Sequence, residues 1–236
     1  MNAILITILS GLSFFIGYLI TLFVKNKKKL TVFSVAFSFT VIVGLILFDL
    51  SPECFELLSN KWLIVVSILI GILLLKLLDF FLPDHSHDES NKKNHMQHIG
   101  LISAIALFLH NIIEGTAIYT TSLANIKLGL IMAIGVSFHN IPLGIQISSL
   151  IKNKTEKIIM ISLLVLSSIV GVIFINIFKI TLNDAVIGVL ISVTLGMLIY
   201  IAFFELLCEV KENIKKKETL LAFVLGLVVI ILTQLI

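Results

Sequence analysis

The sequence predicts an all-α fold, a polytopic membrane protein of eight transmembrane helices, and three observations carry that prediction. Hydrophobic residues make up 58% of the 236-residue chain and charged residues 13%, with a mean hydropathy of +1.15. Soluble domains carry about 25% charged residues, so this composition leaves too few to cover a soluble surface. The apolar residues fall in blocks of about 18–24, the length that crosses a hydrocarbon layer about 30 Å thick as a helix. The third observation is that every Lys or Arg is a lysine, and the lysines gather in alternate connections.

The first span, 2–24, has an apolar run too long for a secretory leader and no small-residue cleavage site after it, so it is expected to stay in the fold. The second, 32–50, ends in LFDLSPE, where Asp49 precedes Ser51 and Pro52 and an outer loop with Glu53 and Glu56 follows. The third, 62–82, carries Lys76 and Asp79 three residues apart, an expected i,i+3 pair. A polar connection, expected to be flexible, follows at about 83–99, PDHSHDESNKKNHMQHI, with His85, His87, His95 and His98 among Asp84, Asp88 and Glu89. Such a His-rich tract is suited to weak metal binding. Spans four and five, 100–123 and 126–150, each hold a polar hexad. Span six is 158–179, span seven 185–208 with Glu205 and Glu209 at its end, and span eight 219–236. Connections are short, so residues 1–236 form a single transmembrane domain.

Thirteen of the seventeen lysines lie in the connections after spans one, three, five and seven, and the alternate connections hold only Lys61 and Lys127. Lysine-rich loops stay cytoplasmic, which puts both termini outside and makes the span count even. The net charge of +3 follows from this loop bias and calls for no nucleic-acid partner. Cys54 and Cys208 have neither metal-site spacing nor a disulfide framework.

The hexads are HNIIEG, from His110 to Gly115, and HNIPLG, from His139 to Gly144. His110 and Glu114 are i,i+4 and project from one helical face, with Asn111 three residues before Glu114. His139 and Asn140 repeat the opening pair. Pro142 removes a backbone donor and is expected to kink the helix beside His139, freeing the Phe138 carbonyl. Gly115 and Gly144 allow a neighbouring helix to come close. An ionised Glu in mid-membrane costs several kcal/mol without a partner and marks a functional site by default. Two imidazoles, a carboxylate and amide oxygens suit a borderline divalent ion such as Zn2+. The bland alternative, core histidines satisfied by backbone carbonyls, accounts poorly for two His-Asn pairs and a Glu in facing spans. Asp49, Glu53, Glu205 and Glu209, with the loop histidines, are candidate entrance and exit contacts, against a plain reading as interfacial carboxylates.

With these residues in place, the chain resembles the ZIP family of divalent metal-ion transporters. HNIIEG matches the family's fourth-span signature, and HNIPLG matches the fifth-span HNIPEG at all but one position. LIYIAFFELLCE in span seven is similar to the family's FEELLPE-type segment, and LFDLSPE to its second-span LPE segment. The resemblance implies a ZIP-like bundle with no cofactor that moves Zn2+, or the related Fe2+, Mn2+ or Cd2+; the expected location is the cell membrane, and a homodimer is an open alternative to a single chain. Two departures matter. The fifth-span Glu is Leu143 here, and SSIVG (Ser167 to Gly171) puts Ser168 where many members have the Glu of AEPLG. Those carboxylates help build the second of two adjacent metal sites in the family, so one transport-site metal is expected here. His110, Glu114 and His139 would hold it, with Asn111 and Asn140 nearby.

The expected function is therefore Zn2+ uptake into the cytoplasm by alternating access around a reduced midplane site. With one carboxylate, binding weakens and release eases, the balance that conduction requires, and protons compete with the metal at low pH. Two other classes stay open at this point. A membrane-embedded zinc hydrolase would use the same ligands to activate water, though HExxH is absent and no spare base faces the set. A non-transporting metal binder or sensor would explain Leu143 and Ser168.

Overall fold

The computed structural model describes residues 2–81, 92–178 and 183–235, which are helical almost throughout and contain no strand. Among the described residues, eight helices are long and apolar enough to cross a membrane. They are α1 (Ala3–Phe23), α2 (Lys27–Leu57), α3 (Lys61–Phe81), α4 (Lys92–Ala124), α5 (Ile126–Leu150), α6 (Lys154–Phe178), α7 (Asp184–Glu212) and α8 (Lys217–Gln234).

Most of these helices start on an asparagine. Asn2, Asn26, Asn60, Asn125, Asn153 and Asn183 each accept a backbone N–H from the first turn that follows, opening α1, α2, α3, α5, α6 and α7. An amide oxygen in that place satisfies a donor that the helix leaves unpaired. At the other end of α1, Lys27 Nζ donates to the Thr21 carbonyl at 2.6 Å, which closes the tight turn into α2.

Two helices run further than the hydropathy pattern predicts. α2 does not stop near residue 50 but continues through Pro52 to Leu57, so Glu53 and Glu56 sit on a helix and not in an outer loop. Its helix widens to π over Leu45–Leu50, where the Ser51 N–H reaches back to the Ile46 carbonyl. That widening re-routes the ladder just ahead of a residue that has no N–H of its own. α4 begins at Lys92, so His95 and His98 are helical and the polar connection is shorter than the expected 83–99. α7 also widens to π, over Ile201–Leu206. The two π segments expose a repeat: FDLSPE (Phe48 to Glu53) and FELLCE (Phe204 to Glu209) place Asp49 and Glu205, then Glu53 and Glu209, at equal offsets.

α1, α4, α5 and α6 pack against one another, α3 pairs with α7, and α2 pairs with α8 while also leaning on α5. Glycines set how close the first group comes. A Cβ on Gly144 would collide with the Phe14 backbone of α1, and one on Gly17 with the Ile141 carbonyl of α5. A Cβ on Gly115 would strike the Ser168 backbone of α6, and one on Gly171 the Ile112 carbonyl of α4. Small residues let helix backbones touch, which is how helices gain packing energy where lipid is as apolar as leucine. Leucines such as Leu69 and Leu73 of α3 and Leu220 and Leu227 of α8 stay exposed on the perimeter. α1, α3, α5 and α7 end, and α2, α4, α6 and α8 begin, at one end of the bundle, the lysine-rich end; α1 begins and α8 ends at the other.

Candidate metal centre

α4 carries His110 and Glu114 one turn apart, and α5 brings His139 across to them. Glu114 Oε1 lies 2.9 Å from His139 Nε2 and 3.4 Å from His110 Nε2. The two imidazole rings are 6.2 Å apart between centroids. All three side chains are buried or nearly so, at 5%, 12% and 6% exposure for His110, Glu114 and His139. Their donor atoms lie within 4.8 Å of one another, and among the described residues this is the one such group of three or more His, Cys, Asp or Glu side chains. Two ligands about 2.1 Å from a zinc ion at a tetrahedral angle stand about 3.4 Å apart, so the set needs little adjustment to close on an ion. Glu114 Oε2 is buried with no hydrogen-bond partner among the described residues. Such an atom is costly unless a cation meets it.

The asparagines behave differently from the histidines they follow. Asn111 Nδ2 donates to the Leu164 carbonyl at 3.0 Å and to Ser167 Oγ at 2.8 Å, which anchors α4 to α6. Asn140 Nδ2 donates to Asn111 Oδ1 at 3.5 Å, and Asn140 Oδ1 is buried without a hydrogen-bond partner among the described residues. Of the two amide oxygens, that of Asn140 is the one left over for an ion. α5 continues as a helix through Pro142, whose carbonyl accepts the Ser38 hydroxyl at 3.2 Å. Leu143 is fully buried, and the Ser168 hydroxyl donates to the Val165 carbonyl within its own helix.

A cavity of about 1050 Å³ opens on the centre from the end of the bundle that holds the termini. Asp49 and Glu53 of α2 line it together with His110, Glu114 and His139, while Glu56 is exposed elsewhere on α2. Asp49 Oδ1 accepts from Gln234 Nε2 at 2.6 Å, joining α2 to the end of α8.

The remaining candidates gather at the lysine-rich end. Glu205 and Glu209 are buried, and Glu209 Oε1 lies 3.7 Å from His95 Nε2. His98 is buried and lies 2.6 Å from Asp79 Oδ1, while Tyr200 donates to Asp79 Oδ2 at 2.8 Å. The expected partner of Asp79, Lys76 on the same helix, is therefore displaced by side chains from α4 and α7. A half-buried carboxylate gains more from close donors on buried side chains than from an exposed lysine one turn away. The Asp79–His98–Tyr200 group was not legible as a cluster, since its members lie in three separate spans. An Asp and a Tyr in otherwise apolar helices are the signal that marks them. His85 and His87 lie outside the described residues.

Comparison with known proteins bears on this arrangement. The profile of the family described as ZIP zinc transporter matches residues 84–234. Among curated proteins, the zinc transporter ZupT of Chlorobium chlorochromatii is 27% identical over 99% of this chain and 96% of its own length. ZupT of Clostridium perfringens is 27% identical over 99% of this chain and 95% of its own. ZupT of Streptococcus mutans is 30% identical over a shorter stretch, 55% of each chain. The matched region takes in both hexads, the two lysine-end carboxylates and five of the eight spans, and the longer matches add the other three. The chain belongs to the ZIP zinc transporter family.

Proposed function

We propose that this chain carries Zn2+ into the cytoplasm by alternating access, one ion at a time, through His110, Glu114 and His139. The coarse part of that statement follows from the family: it is a multi-pass cell-membrane zinc transporter and not an enzyme. The membrane hydrolase reading falls with it. The observation that carries the finer part is the convergence of two imidazole nitrogens and a carboxylate oxygen on the wall of a cavity that Asp49 and Glu53 also line.

The loop lysines support a cytoplasmic placement for the opposite end, so the cavity faces outside. Asp49 and Glu53 then attract cations into its mouth. After the bundle re-opens at the lysine-rich end, Glu205, Glu209, His95 and His98 receive the ion, with Asn140 Oδ1 as an added ligand at the centre. Two nitrogens and one oxygen suit Zn2+ and Cd2+ better than the harder Mn2+, with Fe2+ between. Leu143 and Ser168 supply no charge, which favours a single ion and quick release.

Radioactive Zn2+ influx into proteoliposomes tests this reading directly. Wild type is expected to transport and Glu114→Ala to lose transport while still folding and inserting normally. Unchanged uptake by Glu114→Ala would remove the site assignment, and saturable Zn2+ binding without influx in wild type would identify a binder or sensor.

A further inference from the structure

Seven residues inward of His110 on α4 is Ser103, and seven residues inward of His139 on α5 is Gln146. Seven residues make almost two full helical turns, about 10.5 Å, and return to nearly the same face. Because α4 and α5 run antiparallel, both steps lead from the metal centre toward the lysine-rich end, and the two side chains meet there. Gln146 Nε2 donates to Ser103 Oγ at 3.5 Å. Both residues are completely buried, and Gln146 Oε1 has no hydrogen-bond partner among the described residues.

What surrounds this pair on the same faces is apolar. Leu107 and Leu143, one turn inward of His110 and His139, are fully buried and separate the pair from the metal centre. Ile99 and Leu150, one turn further inward, are fully buried as well. From His110 to His98, where the next ionisable group on α4 stands, is twelve residues, about 18 Å along the axis. An ion leaving the centre would cross that length with no polar contact on this seam except the Ser103–Gln146 level. A buried amide oxygen with no donor costs stability, and a leucine would fill the position more cheaply.

We propose that Gln146 Oε1 and Ser103 Oγ form a neutral relay site that holds the partly hydrated divalent ion after it leaves His110, Glu114 and His139. The proposal rests on the transport reading above. Amide and hydroxyl oxygens can replace part of a hydration shell without adding charge, so the ion is held but not trapped, the balance that passage requires. Leu107 and Leu143 form the step between the two stations. The position of Gln146, one turn beyond the residue where the hexad pattern loses its carboxylate, places a polar atom on the path beyond Leu143.

Influx of radioactive Zn2+ into proteoliposomes and equilibrium Zn2+ binding, both on the full chain, test the relay. Gln146→Leu is expected to lower the maximal influx rate about tenfold, as loss of one ligand worth a net hydrogen bond would, while binding at the centre keeps its affinity. The isosteric Gln146→Glu is expected to hold a second Zn2+ per chain and to slow influx by trapping it. A merely structural glutamine would not raise the number of bound ions when given a charge. Wild-type influx in Gln146→Leu overturns the relay, and so does a Gln146→Glu chain that binds no second ion. If Gln146→Leu does not fold, Gln146→Glu decides alone. Should wild type bind Zn2+ and not move it, the transport reading fails, and the ion count of Gln146→Glu still decides whether a divalent ion reaches this level.

Discussion

Asn111 and Asn140 each follow a histidine in the sequence, but the fold gives them unequal tasks. Asn111 uses both amide hydrogens on α6, so its truncation removes the two bonds that hold α4 there and leaves the Leu164 carbonyl and the Ser167 hydroxyl each with one donor fewer. Asn111→Ala is expected to lower unfolding stability by about 1–3 kcal/mol, read by thermal or denaturant melting in detergent. Its effect on Zn2+ affinity should be smaller than that of His110→Ala, and an equal or larger loss of affinity would make Asn111 a ligand in its own right. Leu143 makes the complementary case. It is fully buried one turn from His139, where a carboxylate without a cation costs several kcal/mol. Leu143→Glu should therefore melt earlier than wild type without metal, recover with Zn2+, and bind more Zn2+ per chain. A melting point indifferent to Zn2+ would show that position 143 does not face the ion.

Among the elements, the eight spans were readable from hydropathy alone, because a helix that crosses lipid must be apolar for its whole length. Their ends were less readable. Pro52 looks like a stop, since it lacks a donor, and only the π widening at Leu45–Leu50 lets α2 run past it. Residues 92–99 look like loop because they are polar, yet the His98 ring is drawn into the bundle by Asp79, so tertiary pairing extends α4. The FDLSPE and FELLCE repeat is short and degenerate in sequence, and becomes plain only when both copies are seen to carry a π segment at the same register. The convergence of His110, Glu114 and His139 was legible from the hexads, whereas the buried Ser103–Gln146 pair has no signature of its own. The seams between elements depend on glycine. Gly144→Ala would push its Cβ into the Phe14 backbone, which cannot move aside as a side chain does. Overpacking of this kind costs about 1–3 kcal/mol, so the variant should melt earlier, whereas Gly135→Ala, with open space at its Cβ, should not. Equal melting of the two would mean that α1 and α5 separate without cost.

At the scale of the whole molecule, a cavity lies toward one end and a hydrogen-bonded tie toward the other. Asp79, His98 and Tyr200 join α3, α4 and α7 at the lysine-rich end, while the cavity reaches His110, Glu114 and His139 from the opposite end. α4 belongs to the group of four that carries the candidate centre, whereas α3 and α7 pack mainly on each other and on α2, so the tie crosses the boundary that must move if access alternates. Breaking it removes stabilisation from the observed arrangement and from no arrangement in which α4 has parted from α3 and α7. Loss of a charged hydrogen-bonded pair worth about 1–3 kcal/mol shifts a two-state balance by about 5- to 150-fold. Asp79→Ala should accordingly move the population toward the form open at the lysine-rich end. A reporter for this is Ala117→Cys, which lines the cavity three residues beyond Glu114, placed in a Cys208→Ser background because Cys208 is exposed and Cys54 buried. A membrane-impermeant maleimide added from the terminal side should label it more slowly once Asp79 is replaced. Labelling that stays as fast as with Asp79 intact would mean that the tie does not hold the lysine-rich end closed, and that the balance is set instead by the apolar packing of Leu107 and Leu143.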